Sequence, residues 1–454
     1  MIPYGKQSIS EDDIDAVVRS LRSDFLTCGP EVEAFEREFA AFVGAKHAVA
    51  VCNATAALHL AMQVLGIGKG DRVVTSPNTF VASANAAAYV GATPDFSDID
   101  PKSYNLDPVV LEKNWKPDTK AVVAVDYAGQ PCNMPEIARI ARSRGAYVIE
   151  DACHGTGGGF IAEGRKWKLG GHPWADITTF SFHPVKTLTT GEGGILLTEN
   201  DEWAAKARLL RTHGITRNSI EFIGLSDSPS SPSSAISPPP SLAEQGSWYY
   251  EMQELGYNYR ITDLQCALGR SQLKRLPDFI ARRQQVAARY NEALANLAWL
   301  NIPTLDSAIR HPPSATSHAL DPRPSALDSG HSSLDPLLPL ATSHQPPATG
   351  SDFSFSLSSL SLHLYTVQID FPCLGKYRTQ VMQELREKGV GTQVLYIPVY
   401  LQPWYRRTFG YAPGKCPNAE KFYARALSLP LYPSMADSDV EKVIETVKNF
   451  ERQT

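Results

Sequence analysis

The 454-residue chain reads as an α/β protein: a mostly parallel sheet covered by helices forms a large first unit, and a smaller α+β unit follows. Three observations predict this. Short runs of apolar β-branched residues alternate with helical patterns through the first three hundred residues. Those runs are apolar at consecutive positions, as in strands buried on both faces, rather than at every second one. After about residue 364 the alternation gives way to a mixed pattern.

The elements follow in order. Ser10-Glu11-Asp12-Asp13 is a capping sequence, and Ile14, Val17, Val18 and Leu21 then recur at helical spacing. A second helix runs from Glu31, after Pro30, to about Val43, with Phe35, Phe39 and Phe42 on one face and Gly44 as the stop. Residues 47–52 form a strand candidate, and a helix opens after Asn53 and runs to Leu65. Further strands are expected at 71–75, 120–125, 146–150, 176–182 and 194–198, with helices around 81–89, 134–143 and 203–211. Residues 261–297 turn helical and rich in Arg, Gln and Ala. Strands at 365–371 and 391–396 and a last helix near 437–450 complete the pattern. The expected division is a large domain over 1–250 and, over 251–454, interface helices with a small C-terminal domain.

Two stretches break the pattern. Residues 226–241, within an insertion expected at 225–245, are dominated by Ser and Pro, and residues 304–361 form a longer low-complexity insertion, 305–361 at its core. Such composition buries too little apolar area to offset its conformational entropy, so both read as disordered or loosely packed. Composition excludes other classes. A net charge of −5 argues against a general nucleic-acid or membrane-surface binder. No apolar run approaches the ~18 residues of a membrane helix. The opening residues lack a basic start and an apolar stretch, as a cytoplasmic protein would. Seven scattered cysteines without a C-x-x-C pair fit reduced thiols.

The chemistry concentrates in three segments. Thr179-Phe180-Ser181-Phe182-His183-Pro184-Val185-Lys186-Thr187, then Thr190-Gly191-Glu192-Gly193-Gly194, delivers a lysine from a strand end into a turn rich in hydroxyls and glycine. A lysine placed so can hold an aldehyde cofactor covalently. At its ordinary pKa of about 10.4 it is a poor nucleophile at neutral pH, so the site must lower that value. Read alone, a surface lysine in a loop is the commoner case. In the second segment, 146–155, an apolar strand ends at Asp151, with His154 three residues on. A carboxylate at a strand's carboxyl end faces ligands, and it can keep the pyridine nitrogen of pyridoxal phosphate protonated. A metal-ligating aspartate and a turn residue are the alternatives, though Asp151 and His154 alone make a thin metal shell. The third is Cys52-Asn53-Ala54-Thr55-Ala56. Asn53 caps a helix whose first-turn amides, with the Thr55 hydroxyl and the small Ala56, make a phosphate cradle.

Phosphate cup, strand-end Asp and strand-end Lys in this order resemble a fold-type I pyridoxal-phosphate enzyme, and the chain resembles the DegT/StrS-type sugar aminotransferases. The resemblance covers about residues 2–224 and 246–304 and resumes from 362 to about 449. It implies an aspartate aminotransferase-like fold, pyridoxal 5′-phosphate as cofactor and transamination of a nucleotide-linked keto sugar. It also implies roles: Lys186 attaches the cofactor and moves protons, and Asp151 pairs with the pyridine nitrogen. His154 stands near the ring oxygen, Thr55, Ala56 and Ser181 hold the phosphate, and Phe80 stacks on the ring, unless it is a core phenylalanine. Leu255-Gly256-Tyr257-Asn258-Tyr259-Arg260 resembles the stretch whose Asn reaches across a dimer interface to the neighbour's phosphate. Asn258 would then act in trans within a homodimer.

The segment 181–194 is most similar to one branch, which aminates C4 of a UDP-linked 4-keto-6-deoxy-N-acetyl-hexosamine for pseudaminic acid synthesis with L-glutamate as donor. Residues 2–7, 248–252 and 396–403 agree with that branch, and the resemblance puts Tyr4, His183 and Arg260 at the substrate. Leu395 stands where the branch has a His. A related 3-deoxygenating subgroup carries His in place of the lysine, so Lys186 favours transamination. The competing readings are the same chemistry on another nucleotide sugar and a catalytically silent binding or regulatory protein with this fold.

Overall fold

The molecule is described by a computed structural model over residues 1–222, 248–309 and 352–450. In chain order α1 (Glu11–Leu21) and α2 (Pro30–Val43) precede β1 (His47–Val51), α3 (Ala54–Val64), β2 (Arg72–Thr75), α4 (Ala82–Tyr89) and β3 (Thr93–Phe96). Then come α5 (Pro108–Lys113), β4 (Thr119–Val125), α6 (Met134–Arg142), β5 (Tyr147–Asp151), β6 (Gly159–Ala162) and β7 (Arg165–Lys168). β8 (Ile177–Ser181), β9 (Gly194–Thr198), α7 (Asp201–Arg211), β10 (Ile215–Thr216), β11 (Glu251–Met252) and α8 (Asp263–Leu294) follow. The remainder is β12 (Leu300–Asn301), β13 (Ser307–Ile309), β14 (Phe353–Phe355), β15 (Tyr365–Ile369), α9 (Arg378–Glu387), α10 (Pro403–Phe409), α11 (Pro417–Arg425), β16 (Ala426–Leu429) and α12 (Asp437–Lys448).

The central sheet has seven strands in the order β1-β9-β8-β5-β4-β2-β3, and only β9 runs against the rest. Both faces are buried, which is why β1, β9 and the second half of β4 are apolar at consecutive positions. In β4, Ala121, Val123 and Val125 pack with α3 and α4 while Val122 and Ala124 pack with α2 and α6. This is the predicted α/β architecture. Smaller sheets complete it: β12-β15-β16, β10-β11 and β13-β14-β6-β7. No helix among the described residues is long and apolar enough to cross a membrane.

Parallel strands put their carboxyl ends on one edge. β5 ends there at Asp151, β8 at Ser181, and α3 starts there directly after β1. Antiparallel β9 enters from the same edge at Gly194, opposite both Val51 and Ser181. A Cβ on Gly194 would stand 2.5 Å from the Ala54 nitrogen, so only glycine lets the sheet approach the start of α3 this closely.

Three expectations are corrected. Ser10 caps α1 as predicted, its hydroxyl accepting from the Asp13 amide at 3.4 Å while its own amide donates to Asp13 Oδ2 at 2.9 Å, but Ile14 and Leu21 are exposed. The buried residues of α1 are Asp13, Ala16 and Ser20, because Gln272 and Arg275 of α8 donate to Asp13 at 2.7 and 2.9 Å. Residues 391–396 do not form a strand; Gln393 makes an isolated antiparallel bridge to Ser428, and the Gly391 amide donates to the Ile2 carbonyl at 2.8 Å. The longer Ser/Pro-rich stretch is packed at both ends. β13 pairs with β14 and β14 with β6, and Phe353, Phe355 and Leu360 are buried, with the Phe353 ring 5.3 Å from Phe160. Residues 226–241 and the middle of the longer stretch lie outside the described residues.

Candidate active site

Lys186 follows β8 in a turn closed by its own amide donating to the His183 carbonyl at 2.9 Å. It is half-buried, and desolvation by the surrounding protein pulls its ammonium down to about 8, with Cys153 and Asp151 nearby pulling back. The lowered basicity that the sequence demanded of this lysine is thus present, and its cause is burial.

Asp151 is buried at the end of β5. Ser83 of α4 donates its hydroxyl to Asp151 Oδ2 at 2.6 Å, and the Cys153 amide donates to Oδ1 at 3.3 Å. Thr79 in turn contacts the Ser83 hydroxyl at 2.7 Å. The carboxylate is therefore held in one orientation. Among the described residues neither Asp151 nor His154 belongs to a cluster of three or more side chains that could ligate a metal ion together.

His154 is buried, and the Ala128 amide donates to its Nδ1 at 3.2 Å. The proton of the neutral ring therefore sits on Nε2, 3.2 Å from the Tyr396 hydroxyl. Burial, then Lys186, holds the His154 pKa well below the usual histidine range. The ring stacks on Tyr396 at 5.9 Å and lies 4.6 Å from His363. Ala128 is set by Gly129, at φ +93°, where a Cβ would strike the Ser361 and His154 carbonyls. His363 is fixed from behind by Arg283, fully buried in α8, which donates to the Leu362, His363 and Leu431 carbonyls.

At the phosphate-cup helix, Asn53 caps α3 as predicted. Its Oδ1 accepts from the Ala56 amide at 2.9 Å, so that amide is already engaged, whereas the Ala54 and Thr55 amides have no intrahelical acceptor. Ser181 is buried at the same edge, its hydroxyl accepting from the His183 amide at 3.5 Å. Phe80 is 57% exposed, its ring 6.2 Å from Tyr396, so it is not a core residue and its face is available for stacking.

The outlying positions are placed less centrally. Tyr4 is half-buried, its carbonyl accepting from the Leu431 amide, and its neighbour Gly5 lies against Val185 beside the lysine. Tyr4 is also within electrostatic reach of Tyr396. His183 is exposed. Asn258 and Arg260 lie on the segment that leads into α8, joined to the strand before the phosphate-cup helix by the Cys52 amide, which donates to the Tyr259 carbonyl at 2.9 Å, and Asn258 is exposed. Leu395 gives its carbonyl to the Tyr127 hydroxyl, and its side chain packs against an apolar cluster rather than offering a polar group.

Sequence reasoning missed Ser83 and His363 and assigned Tyr396 no role. Ser83 sits among alanines in α4, where nothing local marks it, and His363 follows a Ser/Leu-rich run. The residues fit pyridoxal 5′-phosphate: an amine of lowered basicity, an oriented carboxylate, uncapped helix amides and an exposed aromatic ring converge on one sheet edge.

Comparison with known proteins agrees with this geometry. Residues 7–320 and 340–448 match the model of the DegT/DnrJ/EryC1/StrS aminotransferase family. The chain is 38% identical over 450 residues to the spore coat polysaccharide biosynthesis protein SpsC of Bacillus subtilis, covering 99% of this chain and 97% of SpsC. Among solved structures, it resembles the aminotransferase TlmJ of Streptoalloteichus hindustanus at 29% identity and TM-score 0.74, covering 98% of each chain. It resembles Helicobacter pylori PseC, an aminotransferase involved in the biosynthesis of pseudoaminic acid, at 25% identity and TM-score 0.75, covering 99% of each chain.

Proposed function

The chain belongs to the DegT/DnrJ/EryC1/StrS aminotransferase family, whose enzymes use pyridoxal 5′-phosphate on sugar substrates, and on that footing we propose that it aminates C4 of a UDP-linked 4-keto-6-deoxy-N-acetyl-hexosamine with L-glutamate as donor. The activity is then that of a UDP-4-amino-4,6-dideoxy-N-acetyl-β-L-altrosamine transaminase, acting in the cytoplasm as a homodimer. The observation that carries the transamination is Lys186, an amine brought to about 8 by burial beside the oriented Asp151. The likeness of residues 181–194 to the pseudaminic acid branch, and the structural likeness to PseC, support the choice of sugar.

When bound, pyridoxal 5′-phosphate supplies an electron sink for carbanion charge. The rest falls to the chain. Asp151, oriented by Ser83 and the Cys153 amide, would hold a proton at the pyridine nitrogen, and His154 would stand near the ring oxygen, with its Nε2–H toward the Tyr396 hydroxyl. The Thr55 amide and hydroxyl, with Ser181, would hold the phosphate, and Phe80 would offer its face to the ring. Lys186 Nζ takes the α-proton of glutamate and later returns a proton to C4 of the sugar. Tyr4, whose neighbour Gly5 lies against Val185, and His183, within the lysine's turn, are the proposed sugar contacts. Arg260 is proposed to join them from a second copy, together with Asn258.

The test is the absorbance spectrum of the purified protein before and after glutamate, followed by a panel of nucleotide-linked keto sugars. A visible band lost on adding glutamate, and turnover of a UDP-4-keto sugar, are expected. Turnover confined to sugars carried on another nucleotide would overturn the substrate assignment and leave the chemistry standing.

A further inference from the structure

The segment that carries Asn258 is extended, and its backbone is held on both sides. The Tyr259 amide donates to the Arg211 carbonyl at 3.0 Å and the His213 amide to the Tyr257 carbonyl at 2.8 Å, while the Cys52 amide donates to the Tyr259 carbonyl at 2.9 Å. In an extended chain alternate side chains take opposite faces. Tyr257 and Tyr259 take one face, their rings stacked 4.9 Å apart at 9°. That face lies on α3. His59 is buried on α3, with Nδ1 3.0 Å from the Tyr259 hydroxyl, and Gln63 one turn on donates Nε2–H to the Tyr257 hydroxyl at 3.1 Å. Gln63 also reaches His59 Nε2 at 3.4 Å, which makes that nitrogen the acceptor and leaves the His59 proton on Nδ1 for Tyr259. Burial lowers the His59 pKa, in keeping with this neutral form.

Asn258 takes the other face. It is exposed, and its side chain makes no hydrogen bond among the described residues. Because its neighbours are turned inward onto α3, Asn258 points away from the chain's own phosphate-cup helix. We infer that Tyr257 and Tyr259, locked onto His59 and Gln63 of α3, are positioning residues that fix Asn258 for a second copy of the chain. The helix whose first turn forms one copy's phosphate cup thereby sets what that copy delivers to its neighbour. This rests on the reading that Asn258 reaches a neighbour's phosphate. None of the four positioning residues touches the reacting groups described above.

The experiment uses the full-length chain and two readouts. The first is the dissociation constant for pyridoxal 5′-phosphate, titrated into apoprotein and followed by intrinsic fluorescence. Tyr257→Phe/Tyr259→Phe keeps both rings and removes the hydroxyls that meet Gln63 and His59, and Gln63→Leu is a second variant that leaves the tyrosines intact. Each is expected to weaken cofactor binding by about five-fold, the range of a lost hydrogen bond. In an Asn258→Ala background the same changes should have no further effect. The second readout mixes Lys186→Ala and Asn258→Ala subunits and measures turnover. A mixed dimer regains one complete site only if Asn258 acts across the interface. No recovery on mixing would remove the premise and the inference with it. Recovery on mixing, with Phe and Leu variants that bind as the parent does or whose effects add fully to that of Asn258→Ala, would overturn the positioning role alone.

Discussion

Lys186 is where burial and function oppose each other most directly. An ordinary lysine titrates near 10.4, and burial brings this one to about 8. Between those values the unfolded chain binds more protons than the folded one, so this group makes stability rise with pH across that window. Below pH 8 the cost of the buried ammonium is fully present. Lys186→Met should therefore raise the melting temperature of the apoprotein at pH 7 and raise it less at pH 10, while abolishing turnover. An equal gain at both pH values would show that the charge is not what costs stability. Asp151 poses the complementary case, a carboxylate whose use depends on being aimed. Ser83→Ala removes a charge-assisted hydrogen bond of roughly 1.5–3 kcal/mol and should weaken cofactor binding by about ten-fold, less than Asp151→Asn. A Ser83→Ala protein that binds as the parent does would mean the Cys153 amide suffices. Asp151 was legible in the sequence because an apolar strand ends at it, and Lys186 only in company with Asp151 and the start of α3, since alone it reads as a loop lysine. Ser83 and His363 were not, since each is brought to the site by packing across distant segments.

Elements show the same division. The predicted helices and strands of the central sheet lie within a residue or two of those observed, because both faces of that sheet are buried, whereas β3, Thr93-Pro94-Asp95-Phe96, has no apolar run and was not predicted. α1 fails this logic. Its apolar spacing is real, yet a hydrogen-bonded Asp13 facing α8 determines which side turns inward. The start of α2 depends on α8 in a comparable way. Its N-cap is Gly29, which has no side chain to offer, and Asp263 at the start of α8 accepts from the Gly29 and Glu31 amides at 2.8 and 3.0 Å instead. Asp263 is fully buried, so its removal strands two amides away from water. Asp263→Ala should lower unfolding free energy by about 2–4 kcal/mol in urea titrations, and Asp263→Asn by less, since one acceptor remains. A loss under about 0.5 kcal/mol, the low end for a hydrogen bond, would mean water replaces the carboxylate there. No local pattern announces a cap supplied from more than two hundred residues away.

At the scale of the whole molecule, the longer Ser/Pro-rich stretch is the departure whose place in the fold can be argued. Its composition hides two strands, since Phe353-Ser354-Phe355 alternates as a half-buried strand does while its neighbours are mostly serine. β13 and β14 are antiparallel neighbours, with Ile309 directly opposite Phe353. Chain ends in that register are already placed for a two-residue turn. Everything between them can therefore be removed without separating any described contact. Replacing residues 310–352 by Asn-Gly should leave the melting temperature and the affinity for pyridoxal 5′-phosphate within error of the parent, because β14 keeps its pairing to β6 and Phe353 keeps its place against Phe160. Shortening a loop also lowers the entropy cost of closing it, though only as the logarithm of its length, so any stability gain should be small. Intact folding with lost turnover would instead assign the removed residues a part in the reaction.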